Sequence, residues 1–375
     1  METRELFPFG HPAGPDDVVD REPFLLTLDR WLREGHSVVL AGPRRIGKST
    51  VVEEALRRLH REAVYTARVD LFYTASLEEL STRLLTSILQ NRTGVIPRTL
   101  SAGRQLREWL SSVSIHARVH DLDLGLVVSP PEESPLALLE SVLRAAERMA
   151  AADDRRLVIL WDEFQDIGAL PVPLKRLRAI LQELPHVAHI FCGSRASLIR
   201  TMFSGHHEPF YRFATPLALP DIDRAAWDAY LVRRLGEAGC VIRPAALDLL
   251  HRTTGGHPYG VMAVVYHAYV RAKEAQTHDI TADDLLLAHE ETLDHLDSYY
   301  AALWGDVRGV AHAARVLTRV MSGEPPYGAG LPRAGVARSL QKLVDLGVLD
   351  RTGRGRYRLV EPLFGAWLER RQQRV

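Results

Sequence analysis

The stretch AGPRRIGKSTVVEEAL, residues 41–56, decides the fold. Before it lies the short run HSVVLA, which is rich in valine and typical of a buried parallel strand. After it, apolar residues recur at the spacing of a helix: Val51, Val52, Ala55, Leu56 and Leu59. The order strand, glycine-rich loop, helix predicts an α/β protein whose loop wraps an anion at the amino end of a helix.

The loop fits the pattern G-x-x-x-x-G-K-[ST] without a mismatch. Its glycines let backbone N–H groups surround a phosphate, and the helix adds partial positive charge. Lys48 would reach the β- and γ-phosphates, and Ser49 would hold Mg²⁺. A chance match in a solvated loop is the alternative, but the flanking strand and helix disfavour it. The candidate nucleotide-binding residues here are Gly42, Pro43, Arg44, Arg45, Ile46, Gly47, Lys48, Ser49 and Thr50.

A second strand, RLVILWDEFQDI, ends in two carboxylates. Asp162, at the end of a nearly all-apolar run, is the candidate Mg²⁺ ligand, and Glu163 the candidate base that polarises the attacking water. The alternative is a strand that ends in a solvated acidic turn. We find no acceptor pocket in the sequence, so hydrolysis is favoured over transfer to a small acceptor.

Composition sets the broad class of the protein. The chain has 375 residues, 46% hydrophobic and 25% charged, which predicts a folded protein of two or three domains. Lys plus Arg and Asp plus Glu number 47 each, so the net charge is zero. Net charge therefore gives no indication of binding to nucleic acid or membrane. The two cysteines, Cys192 and Cys240, have no metal-ligand spacing. The proline-rich amino terminus does not read as a signal peptide, and no apolar run reaches membrane-spanning length, so we expect a cytoplasmic location.

Four stretches in order carry a family resemblance. They are VVDREPFLLTLDRWLREGHSVVLAGPRRIGKST, WDEFQD, FCGSRASLIRTMF and GGHPYGVM. Over nearly its full length the chain resembles the archaeal-type ATPases of the STAND/AAA+ group. These P-loop proteins are related to origin-recognition and replication-initiator ATPases and often end in a winged helix. The resemblance implies an AAA+/STAND-like parallel sheet, a helical lid that closes over ATP and Mg²⁺, and a carboxyl-terminal winged helix.

The resemblance also assigns roles to single residues. Val19 and Arg21 match a family motif that lies beside the adenine of the nucleotide. The alternative is that Asp20 with Glu22 caps a helix. Ser194 matches a sensor that faces the γ-phosphate, with a turn serine that caps the next helix as the alternative.

Three further residues take roles in the same way. Arg212 aligns with an arginine that related ATPases offer to a neighbouring subunit, with Arg195 as runner-up. The alternative for Arg212 is a surface arginine whose side chain packs on Phe210 or Phe213. His257 and Pro258 match a lid element near the nucleotide, and a helix-cap histidine is the alternative for His257.

The sequence divides into three predicted domains. Residues 1–220 form a P-loop ATPase core with an insertion at about 91–135, residues 221–300 a helical lid, and residues 301–375 a winged helix. From 331 to 375 there are ten Lys and Arg against four Asp and Glu. The glycine-centred hairpin at its centre carries Arg351, Arg354 and Arg356, which predicts contact with double-stranded DNA. A winged helix that contacts protein is the alternative.

Together these features predict an ATP-binding and ATP-hydrolysing switch. Hydrolysis would change the angle between core and lid and so move the winged helix. Two other classes stay open: an interaction scaffold that binds ATP with little turnover, and a DNA-binding regulator gated by ATP. A protein partner and a nucleotide-dependent homo-oligomer are compatible with each of them.

Overall fold

A computed structural model describes residues 6–93, 116–118, 127–129, 134–328, 330 and 332–373. The predicted insertion at about 91–135 falls largely outside these residues. Contacts group the chain into two compact units. Unit 1 comprises residues 1–23, 42–51 and 219–375, and unit 2 comprises residues 24–41 and 52–218.

Unit 2 contains a parallel sheet whose described strands follow the order β2-β5-β6-β1-β7. A short antiparallel pair, β3 with β4, lies outside it. The strands up to residue 217 are β1 (Val38–Ala41), β2 (Tyr65–Asp70), β3 (His116–Arg118), β4 (Val127–Ser129), β5 (Leu157–Asp162), β6 (Val187–Gly193) and β7 (Thr215–Leu217).

The apolar runs seen in the sequence explain this sheet. All seven residues of β6 are buried, and so are the first five of β5, as expected for central strands covered on both faces. Phe164 follows β5 directly and is fully buried against Phe191 and Phe210, with ring centroids 4.5 and 5.2 Å away. This aromatic cluster fixes the chain just beyond the carboxyl end of β5.

Helices and 3₁₀ turns connect the strands. Parallel strands need such crossover connections, because a hairpin cannot return the chain in the same direction. The helices that the structure describes up to residue 204 are α1 (Glu22–Arg33), α2 (Lys48–Arg61), α3 (Leu77–Thr93), α4 (Pro135–Ala152), α5 (Leu174–Gln182) and α6 (Ala196–Ser204), with 3₁₀ turns at Pro15–Asp17 and Phe164–Ala169.

The carboxyl-terminal part of unit 1 is mainly helical. Its helices are α7 (Arg224–Glu237), α8 (Pro244–Thr254), α9 (Pro258–Glu274), α10 (Ala282–His295), α11 (Asp297–Arg308), α12 (Ala313–Met321), α13 (Arg333–Asp345) and α14 (Pro362–Gln373). Its strands form two short pairs: β8 (Val241–Ile242) with β9 (Asp279–Ile280), parallel, and β10 (Leu349–Gly353) with β11 (Arg356–Leu359), antiparallel.

Local signals in the sequence account for these helix ends. Gly255 ends α8 in the left-handed conformation, and Pro258 opens α9. Thr281 and Asp284 form a capping box at the start of α10. None of the helices in the described ranges has the length and hydropathy that a membrane span requires. The division into three domains stays a prediction.

Candidate functional site

Unit 1 holds a cavity of about 310 Å³, within the size range of small-ligand sites. Three segments line it: residues 8–13 with 17–19 and Arg21, the P-loop from 45 to 51, and a set from the helical part. That set is Ile222, Trp227, Pro258, Tyr259 and Met262. The cavity thus combines a polar phosphate-type loop with apolar and aromatic walls, as a nucleotide requires.

The P-loop has the conformation that its glycines permit. Gly47 has a φ of +90°, which side-chain-bearing residues rarely adopt. A Cβ on Gly42 would lie 2.8 Å from Cδ1 of Ile46, so the loop closes tightly only with glycine there. Lys48 opens α2, and its buried amino group donates to the carbonyl oxygens of Gly42 at 2.8 Å and Pro43 at 2.5 Å. The positive charge is therefore held within the loop at the amino end of a helix.

The amino-terminal segment is fastened to the same loop. The backbone N–H of Ala13 donates to Oγ1 of Thr50 at 3.0 Å. Val19 and Arg21, predicted beside the adenine, both line the cavity. Arg21 donates to the carbonyl oxygen of Pro220 at 2.5 Å, and its burial lowers the pKa of its guanidinium. The predicted adenine motif, Val19 with Arg21, and the P-loop therefore line the same cavity.

The predicted lid residues divide. Pro258 lines the cavity, whereas His257 does not. Burial, with the nearby charges of Arg45 and Arg358, lowers the pKa of His257 to about 4. His257 stands at the N-cap of α9, but its side chain makes no capping hydrogen bond. It is therefore a buried neutral imidazole at neutral pH.

Arg45, in the P-loop, contacts two aromatic rings and a carboxylate. Its guanidinium carbon lies 4.1 Å from the ring centroid of Tyr259 and 4.0 Å from that of Tyr299. Its Nη1 pairs with Oε2 of Glu361 at 3.2 Å, and Tyr300 donates to the same oxygen at 3.1 Å. This set of five residues, called here the arginine clamp, joins the P-loop to α9, α11 and the residue before α14.

Unit 2 carries the predicted carboxylates. Asp162 ends β5 directly opposite Asp70, which ends β2. Burial raises the pKa of Asp162, and the neighbouring charges of Glu163 and Asp70 raise it further. A divalent cation would offset that cost, so these residues fit a Mg²⁺ ligand set. Among the described residues there is no group of three or more His, Cys, Asp or Glu side chains placed to hold a metal by themselves.

Glu163 and Ser194 lie together. The Oγ of Ser194 donates to Oε2 of Glu163 at 2.9 Å, and the backbone N–H of Ser194 donates to the same oxygen at 3.1 Å. Gln165 donates to that oxygen as well. The sequence brought Glu163 and Ser194 forward as separate candidates, and it missed Gln165.

The two candidate arginines occupy different surroundings in unit 2. Arg195 pairs with Asp166. Arg212 is exposed, has a φ of +56°, and places its guanidinium 5.2 Å from the ring centroid of Tyr211. A left-handed conformation at a non-glycine residue costs about 1 kcal/mol or more, which marks this turn as strained.

The fold and these sites define a P-loop nucleoside triphosphatase: a G-x-x-x-x-G-K-[ST] loop after β1 and an acidic pair at the end of β5. Residues 20–192, which contain both motifs, match the family model described as AAA ATPase domain. This segment is therefore similar to AAA ATPase domains, and the match supports the predicted ATP-hydrolysing enzyme. The predicted P-loop α/β fold class is confirmed.

Solved structures support the same fold. The Walker-type ATPase of Pyrococcus abyssi superposes with a TM-score of 0.69 at 17% identity, covering 97% of this chain and 100% of its own. The ORC2 protein of Aeropyrum pernix, in its ADPNP–ADP complexes, gives a TM-score of 0.57 at 15% identity and covers 99% of both chains. No curated protein matches the sequence. At these identities the likeness establishes the fold alone.

Proposed function

We propose that this protein is an AAA+ ATPase that acts as a Mg²⁺-dependent molecular switch, in which the state of the P-loop is passed to the carboxyl-terminal elements. The observation that carries the proposal is the arginine clamp, because one P-loop side chain is shared by α9, α11 and the start of α14. A loop that only bound nucleotide would not need aromatic partners on two separate helices.

The roles at the site follow from its chemistry. Lys48 and the backbone N–H groups of the P-loop bind the β- and γ-phosphates. Val19, Arg21 and Pro258 line the nucleotide cavity. Ser49 and Asp162 are the proposed Mg²⁺ ligands. When bound, Mg²⁺ neutralises charge on the phosphate oxygens. Glu163 takes the proton of the attacking water, and Ser194 orients its carboxylate.

Disrupting the arginine clamp should uncouple nucleotide binding from the carboxyl-terminal elements. A buried cation–π contact contributes about 2 kcal/mol, so Tyr299→Leu should weaken the clamp measurably. We expect wild type to show an ATP-dependent change in hydrogen exchange over residues 349–373, and this variant to bind ATP but to lose that change. Calorimetry gives the affinity, and mass spectrometry gives the exchange.

Tyr299→Phe is the matched control for the clamp. It keeps the ring over Arg45 and removes only the hydroxyl, which lies 3.5 Å from Glu361. The coupling should survive in this variant. If Tyr299→Leu responds to ATP as wild type does, the clamp is a packing feature and the proposed route of the switch is wrong.

A second candidate function, ATP-gated DNA binding, is favoured by the charge of the β10–β11 hairpin. We propose that α12, α13 and this hairpin form a winged helix. Arg354 and Arg356 are exposed on the hairpin, whereas Arg358 pairs with Asp221 at 2.6 Å. Arg351 donates to the carbonyl of Gly353 at 3.3 Å and keeps an exposed side. Arg351, Arg354 and Arg356 are thus the proposed phosphate contacts.

Replacing Arg354 and Arg356 with alanine should weaken duplex binding about equally for all sequences. The plot of log K against log salt concentration has a negative slope, and each lost phosphate contact makes it shallower by about 0.9. Losing the pair should therefore make it shallower by about 1.8. The Arg252→Ala, Arg308→Ala double variant removes two exposed charges elsewhere in unit 1 and serves as the control. Fluorescence anisotropy at several salt concentrations makes the measurement. Absence of wild-type binding at low salt would assign the hairpin to protein contact.

Two further proposals concern assembly into an oligomer and action as a scaffold. Arg212, or Arg195 in its place, is proposed to act on the nucleotide of a neighbouring subunit. Turnover per subunit should then rise with protein concentration, and a constant value would contradict the role. A scaffold with little turnover is distinguished by the hydrolysis rate itself.

A further inference from the structure

The chain turns sharply after β5 and brings two side chains of the segment DEFQD together. Glu163 has a φ of +48°, in the left-handed region that non-glycine residues rarely adopt. Phe164, the next residue, is fully buried and begins the 3₁₀ turn Phe164–Ala169. The buried ring anchors the turn, and the side-chain amide of Gln165 reaches back to donate to Oε2 of Glu163. The strain at Glu163 is therefore maintained by packing around it.

The glutamine amide fits a slot that glycine leaves open. A Cβ on Gly193, at the end of β6, would lie 2.1 Å from Oε1 of Gln165 and 2.8 Å from Cγ1 of Ile199. Both distances are too short for any side chain. Gly193 thus allows the amide of Gln165 to occupy one position beside β6.

This position has an energetic cost. Oε1 of Gln165 is buried and accepts no hydrogen bond from the described residues. A buried acceptor left without a donor destabilises the folded state. An apolar side chain of similar size would avoid that cost, so stability alone does not account for an amide here. The feature that requires an amide is its donor, Nε2, which points at Glu163.

We propose that Gln165 is a positioning residue for Glu163, and this inference rests on the proposed role of Glu163 as the water-activating base. In that reaction the water oxygen bonds to the γ-phosphorus, its proton passes to Glu163, and the bond from phosphorus to the bridging oxygen breaks to give ADP and phosphate. Gln165, in the turn, and Ser194, directly after β6, donate to the same carboxylate oxygen. Together they fix the orientation of the carboxylate, which determines how well it accepts that proton.

The test replaces Gln165 and measures kcat and KM for ATP separately. Gln165→Leu removes the donor at similar size, and Gln165→Glu replaces it with a second carboxylate. We expect kcat to fall about 10- to 100-fold in both variants, because misplacing a reacting group costs about that much, while KM stays within about threefold. Gly168→Ala is the control, since a Cβ there meets no atom within 4 Å in the same 3₁₀ turn.

A double variant separates positioning from packing. In a Glu163→Gln background, Gln165→Leu should cause no further loss in single-turnover hydrolysis with enzyme in excess, because Gln165 acts through Glu163. If the fold-loss of the double variant equals the product of the two single losses, the inference is overturned. A Gln165→Leu rate within threefold of wild type would overturn it as well. If Gln165→Leu melts early, Gln165→Asn gives the same comparison with a shorter amide. A Glu163→Gln enzyme that still turns over would instead contradict the proposed base and leave a separate signature.

Discussion

The Lys48→Ala variant is expected to lose measurable ATP binding. Lys48 opens α2, and its amino group lies where the P-loop carbonyls of Gly42 and Pro43 converge. Charge-assisted hydrogen bonds contribute about 1.5–3 kcal/mol each, so removing an ammonium that contacts two phosphates should lower affinity about 100-fold or more. Isothermal titration calorimetry with ATP and Mg²⁺ makes the measurement.

Folding must be checked alongside, because Lys48 is buried and bonded within the loop. Without it, two carbonyl groups lose a donor, and we expect a modest drop in thermal stability. Lys175→Ala is the matched control, since it removes the same charge from an exposed position on α5. Unchanged affinity in folded Lys48→Ala protein would rule out the assigned role of the P-loop.

The sequence predicted the P-loop class because the chemistry of that site is contiguous. Residues 42–50 carry the glycines, the lysine and the serine within one loop, and an apolar strand precedes them. The acidic pair at 162–163 is equally local, since it follows a nearly all-apolar run typical of a central parallel strand. The parallel sheet and the class of protein predicted on these grounds are confirmed.

The arginine clamp could not be predicted, because its members are far apart in the chain. Arg45 and Glu361 are separated by 316 positions, and the two rings that contact Arg45, Tyr259 and Tyr299, belong to different helices. In the sequence, Arg45 is one of nine loop residues that could contact a phosphate. Only tertiary packing shows that its guanidinium lies between two rings. The adjacent pair Tyr299 and Tyr300 was the available signal.

Gln165 was missed for a different reason. It lies two residues from Glu163, a spacing that points the two side chains in different directions on a helix. The left-handed φ of Glu163 brings them together, and nothing in the letters DEFQD specifies that conformation. The contact of His257 with nucleotide, which its place in a glycine-rich motif predicts, stays a prediction. His257 is buried at the N-cap of α9, beside Pro258, which lines the cavity.

The Glu163→Gln variant is expected to keep its affinity for ATP and to lose most of its turnover. Glutamine preserves the size of the side chain and can still meet Ser194, but it cannot accept a proton from water. General-base catalysis contributes about 10²- to 10⁴-fold, so the hydrolysis rate should fall by that range. Phosphate release under saturating ATP gives the rate, and calorimetry gives the affinity.

The control for Glu163→Gln must separate loss of the base from disturbance of the strained turn. Glu163→Ala leaves Oγ of Ser194 and Nε2 of Gln165 without their shared acceptor, so it should perturb stability as well as rate. Glu163→Gln should melt close to wild type. Equal losses of turnover in the two variants, with matched ATP affinity, would locate the effect in proton transfer. A Glu163→Gln rate within a few-fold of wild type would place the base elsewhere, because an amide at this position cannot replace a carboxylate in accepting the proton.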